Sequence, residues 1–347
     1  MISRNQISKI LENYDKTKIT IGVLGGHSAL DVCRGAHSHG FKTLVVAQKG
    51  REKTYSKHYK RREGIGFVDD VIVVNKFSDI TKSNVQEELR KRNTIFIHNR
   101  YFWVYCNFKD IENKFLVPIY GTRDMVKLEE RDVPKNQYFL LEKAGIRTPK
   151  IFKYPKKIDM SANRKAISEH AQKSSIFDRL AIVKVAEAKR GYERAFFLCS
   201  SYKDYKEKSS ELISKKVITQ KDLKKAVIEE YIVGAQVNFN FFYSPITDEL
   251  EFMGTDTRRQ TNLDGILRLP VTEQLEVLKH IKPKYIETGH QTVTVKESLL
   301  EKIFDIGERF VAATKKHHPV GIIGPFALQG AVVAEEGRED IVIFDVS

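Results

Sequence analysis

Strand and helix patterns alternate through the first hundred residues, and this confines that part of the chain to a parallel sheet wound on both faces. Lys18 to Leu24 (Lys-Ile-Thr-Ile-Gly-Val-Leu) reads as a strand, Gly25-Gly26-His27-Ser28 as a turn, and Ala29 to His39 as a helix. Phe41 to Ala47 is a second strand and Val68 to Val74 a third. Asp79 to Arg92 is an amphipathic helix, and Thr94 to His98 a fourth strand. Ligands bind such sheets at the carboxyl ends of the strands, which makes the turn after the first strand a candidate site. Its glycines let the backbone approach a ligand, the following helix offers free N–H groups to an anion, and His27 is placed to meet a phosphate. The Gly-x-Gly-x-x-Gly dinucleotide spacing is absent. A plain tight turn with Ser28 as helix N-cap has the same sequence signature.

The middle of the chain differs. Asp132 to Gly145 reads as a helix, followed by an extended arm at Arg147-Thr148-Pro149. Leu180 to Val185 is a strand carrying Lys184, a cation in an otherwise apolar run. Such a lysine needs a negative partner, and either a nucleotide phosphate or an internal carboxylate would serve. Arg194 to Cys199 is its expected neighbour, and Tyr202 to Lys215 a long basic helix. In the strand from Ala226 to Val233, Glu229 and Glu230 fall on opposite faces. One of them could accept from an adenine amine or a ribose hydroxyl, or the two could be an ion pair and a solvated carboxylate. Gln236 to Tyr243 and Glu249 to Gly254 read as strands, Arg258 to Asp264 as a loop, and Leu299 to Lys316 as a helix. Gly321 to Gln329 and Ile341 to Phe344 form a closing hairpin around a charged turn, with Gln329 and Asp345 at the strand ends. Oxygen ligands side by side on adjacent strands suit a Mg²⁺–nucleotide site, although an ordinary hairpin can also end in polar residues.

Bulk properties narrow the class. A chain of 347 residues is long for one core, so two or three subdomains are expected. No apolar run approaches the ~20 residues of a membrane span, and the N-terminus has no signal-peptide pattern. Cys33, Cys106 and Cys199 are scattered and odd in number, as expected of buried thiols in the reducing cytoplasm. The net charge of +14 raises the question of nucleic acid. In Lys203 to Lys225 the cations alternate with acids at helical spacing, as on a solvated face. The run from Lys49 to Arg62, with interleaved tyrosines, could hold RNA or a small phosphorylated ligand. RNA binding ranks last, because it leaves Lys184, the Glu-Glu-Tyr strand, Gln329 and Asp345 unexplained.

Taken in order, these pieces resemble the ATP-grasp proteins, and within them the archaeal FAICAR synthetase (formate–AICAR ligase) family. The resemblance spans nearly the whole chain. Its motifs are Leu24-Gly25-x-His27-Ser28, Lys49-Gly50-Arg51, Tyr105-Cys106, Ile228-Glu229-Glu230-Tyr231, Phe242-Tyr243-Ser244-Pro245, Asn262-x-Asp264-Gly265 and Ile323-Gly324-Pro325-Phe326-x-Leu328-Gln329. It implies an α/β ATP-grasp fold with an N-terminal Rossmann-like (preATP-grasp) domain over residues 1–120. A connecting helix and arm would follow at 121–150, a lid subdomain at 151–235, and a C-terminal subdomain with the metal site at 236–347. It also implies the chemistry: ATP phosphorylates formate, and the 5-amino group of AICAR attacks the resulting formyl phosphate to give FAICAR on the route to IMP. The cofactors would be ATP and Mg²⁺, with Mn²⁺ able to replace it, and the partners AICAR and formate. No membrane is implied and no protein nucleophile is needed. His27 and Asn262 would contact AICAR, with Tyr101, Arg258 and Arg268 as further candidates. Lys184 and Lys189 would meet ATP phosphates, Glu229, Glu230, Tyr231 and Ile232 would hold adenine and ribose, and Gln329 and Asp345 would bind the metal. Family members assemble, so a homo-oligomer is compatible, though no interface is legible.

The chain also departs from the family pattern. The glycine-rich phosphate segment is replaced by Val185-Ala186-Glu187-Ala188-Lys189-Arg190-Gly191-Tyr192. Bulky Asn99-Arg100-Tyr101 replaces a His-Gly-Ser substrate loop, and Asp345 stands where glutamate is usual. The family continues past the position of Ser347 with an arginine- and glycine-rich segment. These differences suggest a divergent or C-terminally truncated paralogue: a formate–AICAR ligase or a sister enzyme acting on a related nucleotide, with nucleotide binding without catalysis as the alternative.

Overall fold

The computed structural model describes residues 1–130, 133–153, 180–185, 196–335 and 337–347. They fall into two compact units, residues 1–126 and residues 127–347.

The first unit opens with α1 (Arg4–Glu12), whose N-terminus is closed by a reciprocal capping box between Ser3 and Gln6. Five strands follow: β1 (Thr20–Leu24), β2 (Lys42–Gln48), β3 (Asp70–Val74), β4 (Thr94–Ile97) and β5 (Ile119–Tyr120). They make the expected parallel sheet, in the order β3-β2-β1-β4-β5. The helices are α2 (Ala29–Ser38), α3 (Ser83–Lys91), α4 (Arg100–Tyr105) and α5 (Phe108–Asn113). Alternation along the strands divides the core in two. Leu24, Leu44, Val46 and Phe96 pack with Phe77, Leu89 and Phe102, while Val23, Val45 and Ala47 pack with Ala29, Cys33 and Val68. Burial on both faces explains why these strands read as near-continuous apolar runs. The helix expected from Asp79 starts only at Ser83, because Phe77–Thr81 tightens into a 3₁₀ turn and Lys82 is extended.

The second unit holds two antiparallel sheets. Its first helix, α6 (Gln137–Lys143), begins at an Asn136 cap rather than at Asp132, which lies outside the described residues. β6 (Ile151–Lys153), β7 (Ala181–Lys184), β8 (Phe196–Cys199) and β9 (Val227–Glu230) form one sheet in the order β6-β9-β7-β8. Between β8 and β9 run α7 (Tyr202–Ser214) and α8 (Gln220–Lys225). The other sheet contains β10 (Ala235–Ser244), β11 (Glu249–Gln260), β12 (Glu287–Val293), β13 (Gly324–Glu335) and β14 (Arg338–Val346), in the order β12-β11-β10-β13-β14. α9 (Leu263–Ile266) and α10 (Val271–His280) join β11 to β12, and α11 (Leu300–His317) precedes β13.

One face of this second sheet is apolar. Phe239, Phe241, Leu328, Ile341 and Ile343 meet Ile303 and Ile306 of α11, and Phe326 stacks between Phe241 and Phe310. By the two-residue period of a strand, Asn238 and Asn240 must face the other way. β11 continues to Gln260, which places Arg258 on a strand rather than in the expected loop. α10 and β12 are elements the sequence does not announce. β9 stops at Glu230, so Tyr231 and Ile232 lie beyond it. All three cysteines are buried free thiols, and burial pushes Cys33 and Cys106 up to about 12. Among the described residues no helix is long and apolar enough to cross a membrane.

Candidate nucleotide and metal site

Gln329 and Asp345 are direct cross-strand partners on β13 and β14. One step further the register slips: Gly330 faces Ile343, and Phe344 is skipped as a β-bulge. The Phe344 carbonyl accepts from Lys184 Nζ at 3.2 Å. Lys184 therefore touches the strand that carries Asp345. It is also ion-paired to Glu229, and both are almost fully buried, at 5% and 1% exposure. The Tyr138 hydroxyl donates to Glu229 Oε2 at 2.7 Å, so a cation and a hydroxyl together satisfy the buried carboxylate. Strand alternation turns Glu230 outward, where Oε2 accepts from the Lys150 N–H at 3.4 Å. Ile232 packs on Ala331, Val333 and Val342 of the hairpin. The Tyr231 N–H donates to the Leu180 carbonyl. Lys189 lies outside the described residues.

Sequence reasoning missed Gln137, which holds Asp345 in place. Its amide donates to Asp345 Oδ1 at 2.8 Å and accepts the Val346 N–H at 2.5 Å. The only local signal is the Asn136 cap, which fixes where α6 starts and hence which way Gln137 faces.

A polar row crosses the second sheet. Asp256, Asn238, Gln329 and Asp345 sit in mutual register on β11, β10, β13 and β14. Gln329 Oε1 accepts from Arg258 Nη2 at 2.6 Å, and its Nε2 donates to Ser347 Oγ at 2.8 Å. Arg258 Nε lies 3.3 Å from Glu287 Oε2. Asp256 accepts from Asn238 at 2.8 Å and from Asn240 at 2.6 Å, and it also bonds His290 Nδ1. His290 Nε2 is 2.9 Å from Glu287 Oε1. Burial alone would keep this imidazole neutral, but the two carboxylates outweigh it and raise its pKa. A cleft opens on this face, lined by Gln236, Asn238, Thr257, Arg258, Gln329 and Phe344.

Among the described residues no three His, Cys, Asp or Glu side chains converge on a metal position. One carboxylate and one amide oxygen in register nonetheless fit Mg²⁺, which commonly takes one or two protein ligands and fills its octahedron with phosphate oxygens and water. Asn262 has a left-handed backbone (φ 48°), and its Oδ1 accepts the Lys284 N–H at 2.7 Å. Arg268 is exposed.

His27 and Tyr101 belong to the first unit. There the strand order reverses between β1 and β4, the switch point at which such sheets bind ligands. Asn99, just past β4, donates to the Leu24 carbonyl at 2.8 Å and the Gly26 carbonyl at 3.0 Å, tying the two strand ends together. Gly26 has φ 150°, and a β-carbon on it would lie 2.0 Å from the Tyr101 ring. Tyr101 packs edge-on against Phe77 and Tyr105. His27 is left-handed (φ 49°), with Nδ1 3.3 Å from Ser28 Oγ, and the Ser28 side chain makes no cap bond to α2. His98 accepts from Trp103 Nε1 at 2.9 Å. Because indole only donates, Nδ1 of His98 carries no proton, and burial lowers its pKa to about 4. Within the basic run, Tyr55 is buried against the Gly25 turn and Arg61 pairs with Asp69 at 3.2 Å.

Solved structures share this architecture. N5-carboxyaminoimidazole synthetase from Staphylococcus aureus superposes with a TM-score of 0.61 at 12% identity, over 96% of this chain and 72% of that one. An IMP biosynthesis protein PurP from Thermococcus kodakaraensis gives 0.60 at 23%, over 94% and 84%. A parallel N-terminal sheet followed by two antiparallel sheets, the last closing in the β13–β14 hairpin, gives this chain the ATP-grasp fold. Residues 21–152 match a protein family of unknown function (DUF1246), and residues 204–347 a domain of unknown function (DUF1297). Two curated relatives, from Methanocaldococcus jannaschii and Methanothermobacter thermautotrophicus, are 36% and 39% identical across all of this chain and 86% of their own lengths. Both are named 5-formaminoimidazole-4-carboxamide-1-(beta)-D-ribofuranosyl 5'-monophosphate synthetase, and this chain belongs to that synthetase family.

Proposed function

We propose that the chain is an ATP-dependent C–N ligase that makes FAICAR from AICAR and formate in purine biosynthesis. One observation carries the nucleotide half of this proposal: Lys184, the candidate phosphate cation, donates to the backbone of the strand that bears Asp345. A phosphate at Lys184 and a divalent cation at Gln329 and Asp345 would then be neighbours. The metal would shield the charge of the transferring phosphoryl group. Formate is a poor acylating agent until its oxygen is phosphorylated. A formate oxygen attacks the γ-phosphorus and ADP leaves; the AICAR amine then attacks the formyl carbon, phosphate leaves, and the nitrogen loses a proton. The protein must align the substrates, exclude water and neutralise phosphate charge. His27, beside the Gly25-Gly26 backbone at the switch point, is proposed to receive the AICAR phosphate.

The test is incubation of purified protein with Mg-ATP, ¹³C-formate and AICAR. Labelled FAICAR and one ADP per product are expected, and neither ADP nor labelled nucleotide would remove the ligase function. A second reading, binding without turnover, is favoured by the Tyr101 ring pressed on Gly26. Calorimetric binding of AICAR or ATP in protein that releases no ADP would establish it.

A further inference from the structure

The contact between Arg258 and Gln329 has a consequence for the order in which the site fills. A guanidinium has only donors, so the Gln329 amide atom facing it must be the oxygen, and the Ser347 hydroxyl on the other amide atom fits that orientation. This is also the oxygen proposed to bind metal. At 2.6 Å the charge-assisted bond already directs a full positive charge at it. A divalent cation ligated at the usual ~2.1 Å would come within a few ångströms of the guanidinium, where repulsion between like charges outweighs one hydrogen bond. The two cations cannot share Gln329. Arg258 does not have to leave the sheet to yield, because its Nε stays beside Glu287 at 3.3 Å while Nη2 swings. Among the described residues, the cleft into which it would swing is lined by neutral groups, Gln236, Asn238 and Thr257.

We infer that Arg258 is a positioning residue that holds Gln329 as a place-keeper for the metal, and that metal entry releases its guanidinium to an anionic group of substrate in the same cleft. The inference rests on the assignment of Gln329 and Asp345 as metal ligands. It replaces the looser expectation that Arg258 simply contacts AICAR. The site then fills in order, metal–nucleotide before the anion that Arg258 receives, whether a carboxylate or a phosphoryl oxygen.

Mn²⁺ titration followed by electron paramagnetic resonance, with a non-hydrolysable ATP analogue, separates the possibilities. Wild-type protein should bind Mn²⁺, and Arg258→Met should bind it about tenfold more tightly, the worth of one charge-assisted hydrogen bond no longer in competition. In the coupled assay, KM for formate or AICAR should rise at least about tenfold in the same variant, marking which anion Arg258 receives. Arg258→Gln, which removes the charge but keeps a polar side chain, should shift Mn²⁺ affinity in the same direction and carries the test if the methionine variant fails to fold. Equal Mn²⁺ affinity in the wild type and a folded variant overturns the place-keeper role while leaving the metal site intact. Absence of Mn²⁺ binding by the wild type overturns the assignment of Gln329 and Asp345 itself, and this inference with it.

Discussion

The two candidate sites are built from opposite materials. At the switch point of the first unit, the candidate site is main chain around Gly25 and Gly26, with the Leu24 and Gly26 carbonyls held by Asn99 and an aromatic ring lying against Gly26. In the other unit, the site is made of side chains that hold one another: Lys184 on Glu229, Gln137 on Asp345, Arg258 on Gln329. A backbone site depends on shape and tolerates little added volume. A side-chain network tolerates volume but not the loss of a partner, since each deletion leaves a buried group unsatisfied. Substitutions should therefore fail for different reasons in the two places.

The largest effect is expected from Lys184→Met. It leaves Glu229 charged and buried, which should cost about 3–5 kcal/mol in urea unfolding, and adding Glu229→Leu should recover most of the loss. If the single variant is as stable as wild type, the network description fails. Next comes Gly26→Ala, in which overpacking against Tyr101 adds to the strain of a β-carbon at φ 150°, together about 3 kcal/mol. Here removal of volume, Tyr101→Ala, should restore the melting temperature, a rescue that has no counterpart at Lys184. Gln137→Leu is expected to act on function more than on folding. With Asp345 no longer oriented, Mn²⁺ affinity should fall about 10–100-fold, the usual cost of losing an outer partner of a metal ligand; unchanged affinity would place the control of Asp345 elsewhere.

The smallest effect concerns pH. His98 has its pKa lowered to about 4 by burial, so between the unfolded value near 6.5 and 4 the unfolded chain binds the extra proton. Its contribution to stability is complete above 6.5 and is lost as pH falls toward 4, with a slope of at most ~1.4 kcal/mol per pH unit. His98→Asn, whose amide oxygen can still accept from Trp103, should flatten that limb of the stability curve. An identical acid limb in the variant would assign the proton uptake to another group.

What could be read in advance followed from how each part is held together. The parallel sheet was legible because Val23, Val45 and Ala47 are buried to the last methyl, and such strands must be apolar. The Gln329–Asp345 pairing was legible because sixteen residues with a charged turn between apolar runs leave little choice but a hairpin. β12 was invisible for the converse reason. Glu-Thr-Gly-His-Gln-Thr-Val is largely exposed, so its ladder with β11 rests on main-chain hydrogen bonds and leaves no alternation of apolar residues. With β12 unseen, the second half of β11 looked like a polar loop, and the pairing of Arg258 with Glu287 and Gln329 could not be anticipated. Gln137 and Tyr138 escaped for a third reason: a buried polar residue on a short helix is informative only once its partner, far away in sequence, is known.

The bulge at Phe344 has one more implication. By dropping out of the β13–β14 ladder, this residue releases a carbonyl that Lys184 takes up. That acceptor belongs to the peptide bond and is the same whichever amino acid occupies the position. A change of residue at 344 would remove the ring over which Lys184 Nζ sits, 5.6 Å from its centroid, but not the carbonyl bond, whereas inserting or deleting a single residue in β14 would abolish that bond. The length of this strand is under a constraint that comparison of residue types alone cannot register.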